Sequence, residues 1–210
     1  MGALLPVLLL GVVLGMRHAT DTDHVVAVTA IVTRRRSLAD ALRIGALWGV
    51  GHSLTILVVG SGIILAGIVI PPRLELVMEF AVAMMLIGLG GWNLAGAGST
   101  EAAPAAAARP LLVGVVHGLA GSAAVALLVV ATISDPLWSV AYLLLFGLGT
   151  IAGMTAVTAA VAAPMLVTAC RFERFSRSLR LASGTLSVAV GLALAAQLML
   201  VDGLFAAHSG

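Results

Sequence analysis

Residues Arg17-His18-Ala19-Thr20-Asp21-Thr22-Asp23-His24 interrupt an otherwise apolar segment. Neither residues 4–16 before them nor residues 25–32 after them include a charged side chain. A segment of that character belongs in a bilayer, where each ionised side chain costs roughly 2.5–3.5 kcal/mol on insertion scales. One arginine, two aspartates and two histidines are nevertheless gathered there. Two imidazoles and two carboxylates form a nitrogen and oxygen ligand set suited to a divalent first-row transition metal.

The surrounding sequence fits a membrane setting. The chain has 210 residues, 61% hydrophobic and 10% charged, where a soluble domain carries about 25% charged residues. The expected class is an all-α integral membrane protein, one transmembrane domain over residues 1–210. Its net charge of +2 comes from eleven arginines and no lysine. They cluster between apolar segments, which marks topology and not affinity for nucleic acid. The N-terminus lacks the basic region and small-residue cleavage site of a secretory signal. Cys170 is the single cysteine, which excludes an intrachain disulfide or a thiolate cluster.

A spanning helix needs about 20 mostly apolar residues. Six such spans are expected, near 4–32, 42–70, 75–96, 111–133, 137–166 and 180–201. The first, second and fifth are long, which predicts tilt, kinks or breaks. Pro71-Pro72 is expected to end the second span, and Asp135-Pro136 to turn the chain between the fourth and fifth. Residues 97–110, rich in alanine, read as a linker. Nine of the eleven arginines fall in or beside the first, third and fifth loops; Arg73 stands alone on the other side and Arg17 lies within a span. The positive-inside rule then puts those three loops in the cytoplasm and both termini outside.

The two halves, 4–96 and 111–201, resemble each other. His18 and His117 are 99 residues apart, and Gly49-Val50-Gly51 and Gly147-Leu148-Gly149 are 98 apart. Three spans per half is an odd number, so the expected arrangement is a 3+3 inverted repeat with a site near the midplane.

On an unbroken helix each residue turns about 100°. Arg17, Asp21 and His24 then share a face and Asp23 points elsewhere. Either the helix unwinds here, as membranes tolerate beside a cavity, or only some of these groups bind metal. Asp23 could instead orient a histidine, and Arg17 could neutralise a carboxylate. His52, in Gly51-His52-Ser53, either completes the site or makes an interhelical hydrogen bond. His117 is the weaker ligand candidate, because no carboxylate follows it. His208 reads as a solvated tail residue, Trp48, Trp92 and Trp138 as packing or interface anchors, and Met84 and Met85 as core filler.

Arg17 to Val25 resembles the His-x4-Asp-His motif of the nickel/cobalt transporter family, and Gly51-His52-Ser53 resembles that family's Gly-His-Ser motif. The layout is similar to six-span, urease-associated nickel permeases. Family members usually have eight spans and carboxylates in later motifs; the corresponding Gly153-Met154-Thr155 region has none. The resemblance implies transport of Ni²⁺ or Co²⁺, with His18, Asp21, Asp23, His24 and His52 as the metal-binding set. Arg17, His117 and Ser53 would support it.

The expected function is therefore a multi-pass permease of the cytoplasmic membrane, moving Ni²⁺ or Co²⁺ in the uptake direction. The metal is cargo and no cofactor is expected; the partners are the ion and the lipid bilayer, and a homo-oligomer stays open. No Walker motif is present for ATP hydrolysis. Two other classes are a proton or other-ion carrier using the same His/Asp cluster, and an intramembrane hydrolase using Ser53 or Ser122 beside a histidine. Because neutral imidazole binds the ion, affinity should fall as pH drops through the imidazole range, about 6.5 in model peptides.

Overall fold

The computed structural model describes residues 4–33, 37–95, 105–120, 129–169, 173–202 and 204. Among them the principal elements are seven helices: α1 (Leu4–His18), α2 (Thr22–Val32), α3 (Leu38–Ala66), α4 (Pro72–Leu94), α5 (Ala105–Leu119), α6 (Pro136–Ala169) and α7 (Glu173–Leu200). Four of them, α3, α4, α6 and α7, are long and apolar enough to cross a membrane; α1, α2 and α5 are shorter apolar helices. The second, third, fifth and sixth expected spans are thus continuous helices. The first is divided into α1 and α2. The fourth begins as α5, and Ser122 and the rest of residues 121–128 lie outside the described residues.

Local chemistry sets the boundaries. Ser37 caps α3 by accepting from the Asp40 backbone N–H at 3.0 Å, as N-cap hydroxyls do. Gly67, left-handed at φ 62°, ends α3, the conformation glycine adopts without steric cost. The helix therefore stops before Pro71-Pro72. Those prolines instead start α4, with Pro72 in its first turn, where a missing N–H costs nothing. Asp135 starts α6: its carboxylate accepts from the Leu137 N–H at 2.8 Å. One expectation needs correction. The alanine-rich segment is helical from Ala105 onward, inside the expected 97–110 linker, because alanine has the highest helix propensity.

The helices pair in a crossed pattern. α1 packs on α6, α5 on α3, α3 on α6 and α4 on α7. Glycines let these backbones approach. A Cβ added at Gly15 would meet the Phe146 carbonyl oxygen and lie 2.8 Å from the Thr150 nitrogen. One added at Gly153 would lie 2.9 Å from the Met16 carbonyl oxygen, so α1 runs parallel to α6. In the same way Gly114 meets the Trp48 carbonyl and Gly118 approaches the His52 carbonyl, so α5 runs parallel to α3. Between the long helices the order reverses. Gly45 faces Met154 and Thr158, Gly49 faces Ile151, and Ser53 donates to the Gly147 carbonyl at 3.0 Å, so α3 and α6 are antiparallel. α2 packs against α4, α6 and α7. Buried Asn93 ties its far end in place, donating to Thr33 Oγ1 at 3.2 Å and to Ser183 Oγ at 2.9 Å. Buried polar side chains with such partners escape the cost of desolvation.

Candidate metal centre

The break after His18 creates the site. Thr20 N–H bonds the Arg17 carbonyl at 2.9 Å and Asp21 N–H the His18 carbonyl at 3.1 Å, the tightened turn that often closes a helix. The Thr20 hydroxyl also donates to the Arg17 carbonyl. The chain restarts at Thr22 with Asp21 extended at the N-cap, and its side chain caps nothing. The carboxylate turns instead to His18, 2.9 Å from Nδ1. The helix is unwound at residues 19–21, one of the arrangements the sequence left open.

Four imidazoles meet around this break. His18 comes from α1, His24 from α2, His52 from α3 and His117 from α5, and all four are buried. The His18 and His52 Nε2 atoms face each other at 2.9 Å. His24 and His117 have ring centroids 4.1 Å apart, and the His18 and His24 centroids are 4.7 Å apart. Asp23 bridges two of the rings: one carboxylate oxygen is 3.1 Å from His24 Nδ1 and the other 2.7 Å from His117 Nε2. The His24 backbone N–H also donates to Asp23, at 3.0 Å. The Trp48 indole stacks on His24 with a centroid separation of 5.9 Å.

Among the described residues, three buried imidazole nitrogens have no hydrogen-bond partner: His24 Nε2, His52 Nδ1 and His117 Nδ1. Buried polar atoms are nearly always paired, so such a gap calls for an explanation. Two groups of donors lie close enough to hold an ion: His18, His24 and His52, and Asp23, His24 and His117.

The structure sorts the expected residues. His18, Asp23, His24 and His52 converge. Asp21 sits on the Nδ1 side of His18, while His52 faces Nε2. It therefore has the place of a carboxylate that orients a histidine and fixes its tautomer. His52 makes the interhelical hydrogen bond and faces the cluster at once. Arg17 is exposed. Ser53 points to α6, where it donates to the Gly147 carbonyl. His117, the weaker candidate for want of a carboxylate nearby in sequence, has one supplied by Asp23 from α2. Trp48 is a buried packing residue against His24 and His117. Met84 is half exposed and not core filler. His208 lies outside the described residues.

Long apolar helices around a buried histidine and carboxylate cluster, set where a helix is broken, define a multi-pass membrane protein with a candidate cation site. Urease accessory protein UreH of Bacillus sp. (strain TB-90) is 31% identical over 219 aligned positions, spanning 96% of each chain. The chain belongs to the UreH family of urease accessory proteins. No family profile and no solved structure matches it. The relative is an accessory protein and the chain is not an enzyme; the hydrolase reading is not favoured.

Proposed function

We propose that the protein is a secondary permease carrying Ni²⁺ or Co²⁺ into the cell. One observation carries this reading: four imidazoles and the Asp23 carboxylate converge in a buried position halfway along the spans. His52 is 14 residues from either end of α3, about 21 Å at 1.5 Å per residue. α1 ends at His18 and α5 ends two residues after His117. Helix C-termini carry partial negative charge, so both favour a cation there. The ligand types suit Ni²⁺ and Co²⁺, and the relative's name ties it to urease, in keeping with a nickel substrate. Uptake into proteoliposomes, comparing Ni²⁺, Co²⁺, Zn²⁺ and Mn²⁺ under imposed pH gradients, tests it. Uptake of Ni²⁺ and Co²⁺ above the other two is expected. No uptake of any ion under any gradient refutes the proposal.

The transport fold we infer is a 3+3 inverted repeat. Its support is contact by contact. Gly15 against Phe146 and Thr150 has its counterpart in Gly114 against Trp48 and His52. Gly149 against the Val12 carbonyl has its counterpart in Gly51 against the Leu111 carbonyl. The offset is 99 along the short helices and 98 along the long ones, and the corresponding helices, α1 with α5 and α3 with α6, run in opposite directions. The ring contact of His18 with Phe146, at 5.6 Å, likewise answers that of His117 with Trp48, at 5.7 Å. Rocking of such halves about a fixed site is a general transport mechanism.

Cytoplasmic first, third and fifth loops accord with the Asn93 hydrogen bonds. These bring the end of α2, the end of α4 and the early part of α7 to one side. A cysteine placed at position 36, in a Cys170→Ala background, should react only with reagent supplied from the cytoplasm. Labelling from outside would reverse the orientation.

A further inference from the structure

We infer that the cluster is not one ion site but two adjacent positions that share His24, between which the ion is handed. This rests on the permease reading and specifies how its site works. The donors fall into two sets, His18/His24/His52 and Asp23/His24/His117, and His24 alone belongs to both. In each set the protein's own groups occupy the place an ion would take. His18 and His52 face each other through their Nε2 atoms at 2.9 Å, and Asp23 holds His24 and His117 at 3.1 and 2.7 Å. His24 keeps Nδ1 on Asp23 while its buried Nε2 has no hydrogen-bond partner. One ring thus offers a nitrogen to each set.

The sets differ in chemistry and in access. The first is three neutral donors, while the second includes a carboxylate and attracts a divalent cation more strongly. His18 reaches the cluster at the end of α1 and His117 near the end of α5, and these helices run in opposite directions. Each set thus has one ligand, His18 or His117, on a short helix that enters from a different face. In the transfer the ion loses His18 and His52 as ligands and gains Asp23 and His117. Ligand number balances; as His24 changes from Nε2 to Nδ1 its ring proton leaves Nδ1 through Asp23 and one returns to Nε2 from solvent, so charge balances as well. A neutral imidazole has one unprotonated nitrogen at a time, so with His24 neutral the protein binds one ion at a time.

The test uses full-length protein in nanodiscs with Co²⁺ as the probe, reading stoichiometry and visible ligand-field absorption, and uptake in proteoliposomes. His52→Gln and His117→Gln keep a polar side chain at each buried position. Each should still bind one Co²⁺, with spectra that differ from each other, and each should lose transport by about tenfold or more. His24→Gln should lose Co²⁺ binding altogether. A uniform detergent-stable peak on size exclusion establishes folding for each variant. Loss of binding in His52→Gln or His117→Gln as complete as in His24→Gln, or identical spectra from the two, would mean one undivided site and overturn the inference. Wild-type protein that binds neither Co²⁺ nor Ni²⁺ would overturn the permease reading itself, and this inference with it.

Discussion

The His18→Ala/His24→Ala double variant is expected to lose metal uptake by more than about 100-fold, beyond what changes to supporting residues alone usually cost. It removes two of the three donors in one set and the donor common to both. The remaining His52 and His117 come from different helices and belong to different sets. Folding should survive. His24 Nε2 already lacks a partner, so alanine there removes a desolvated polar atom. The helices around the break are held by packing at Gly15, Gly114 and Gly153, which the variant leaves intact. Uptake into proteoliposomes, normalised to folded protein, is the measurement. Undiminished uptake by well-folded double variant would eliminate the proposed site.

Gly114→Ala is expected to destabilise the bundle strongly, as one of several glycines whose added methyl would meet backbone. The new Cβ would strike the Trp48 carbonyl and lie 2.9 Å from the His52 nitrogen. Overpacking typically costs about 1–3 kcal/mol, and more where nothing can move. Here the obstacle is the backbone of α3, not the end of a flexible side chain. Separating α5 from α3 would also pull His117 away from Asp23. Gly88→Ala and Gly91→Ala are the controls, since a Cβ at either meets nothing within 4 Å. Both should stay within about 0.5 kcal/mol of wild type. Thermal unfolding in detergent compares them. Equal stability of Gly114→Ala and Gly88→Ala would show that the α3–α5 contact is looser than described.

Much of this was legible in the sequence, for identifiable reasons. Apolar length located α3, α4, α6 and α7, because bilayer thickness leaves little freedom in such helices. The cost of charge in lipid singled out His18, Asp23 and His24. What the sequence hid was partnership across the fold. His117 looked poor because its carboxylate is 94 residues away, at Asp23. Asp21 entered the expected set through the resemblance, and the turn at residues 19–21 places its carboxylate on the Nδ1 side of His18. The helical start of α5 at Ala105 was masked by low complexity, since the same alanines suit a linker or a helix.

The crossed packing has an ancestral implication. α1 lies on α6 and α5 lies on α3, so the short helix that opens each half packs on a long helix of the other half. Two copies of one short chain, inserted in opposite orientations, could have made the same embrace before fusion joined them. Such a dimer would have been symmetric, with equal ligands from both partners. On the proposed repeat, joining the copies would free them to diverge: Asp23 and His24 on one side, no carboxylate after His117 on the other. A symmetric ancestor could bind an ion at its axis, whereas a lopsided descendant can give the ion a preferred direction of travel.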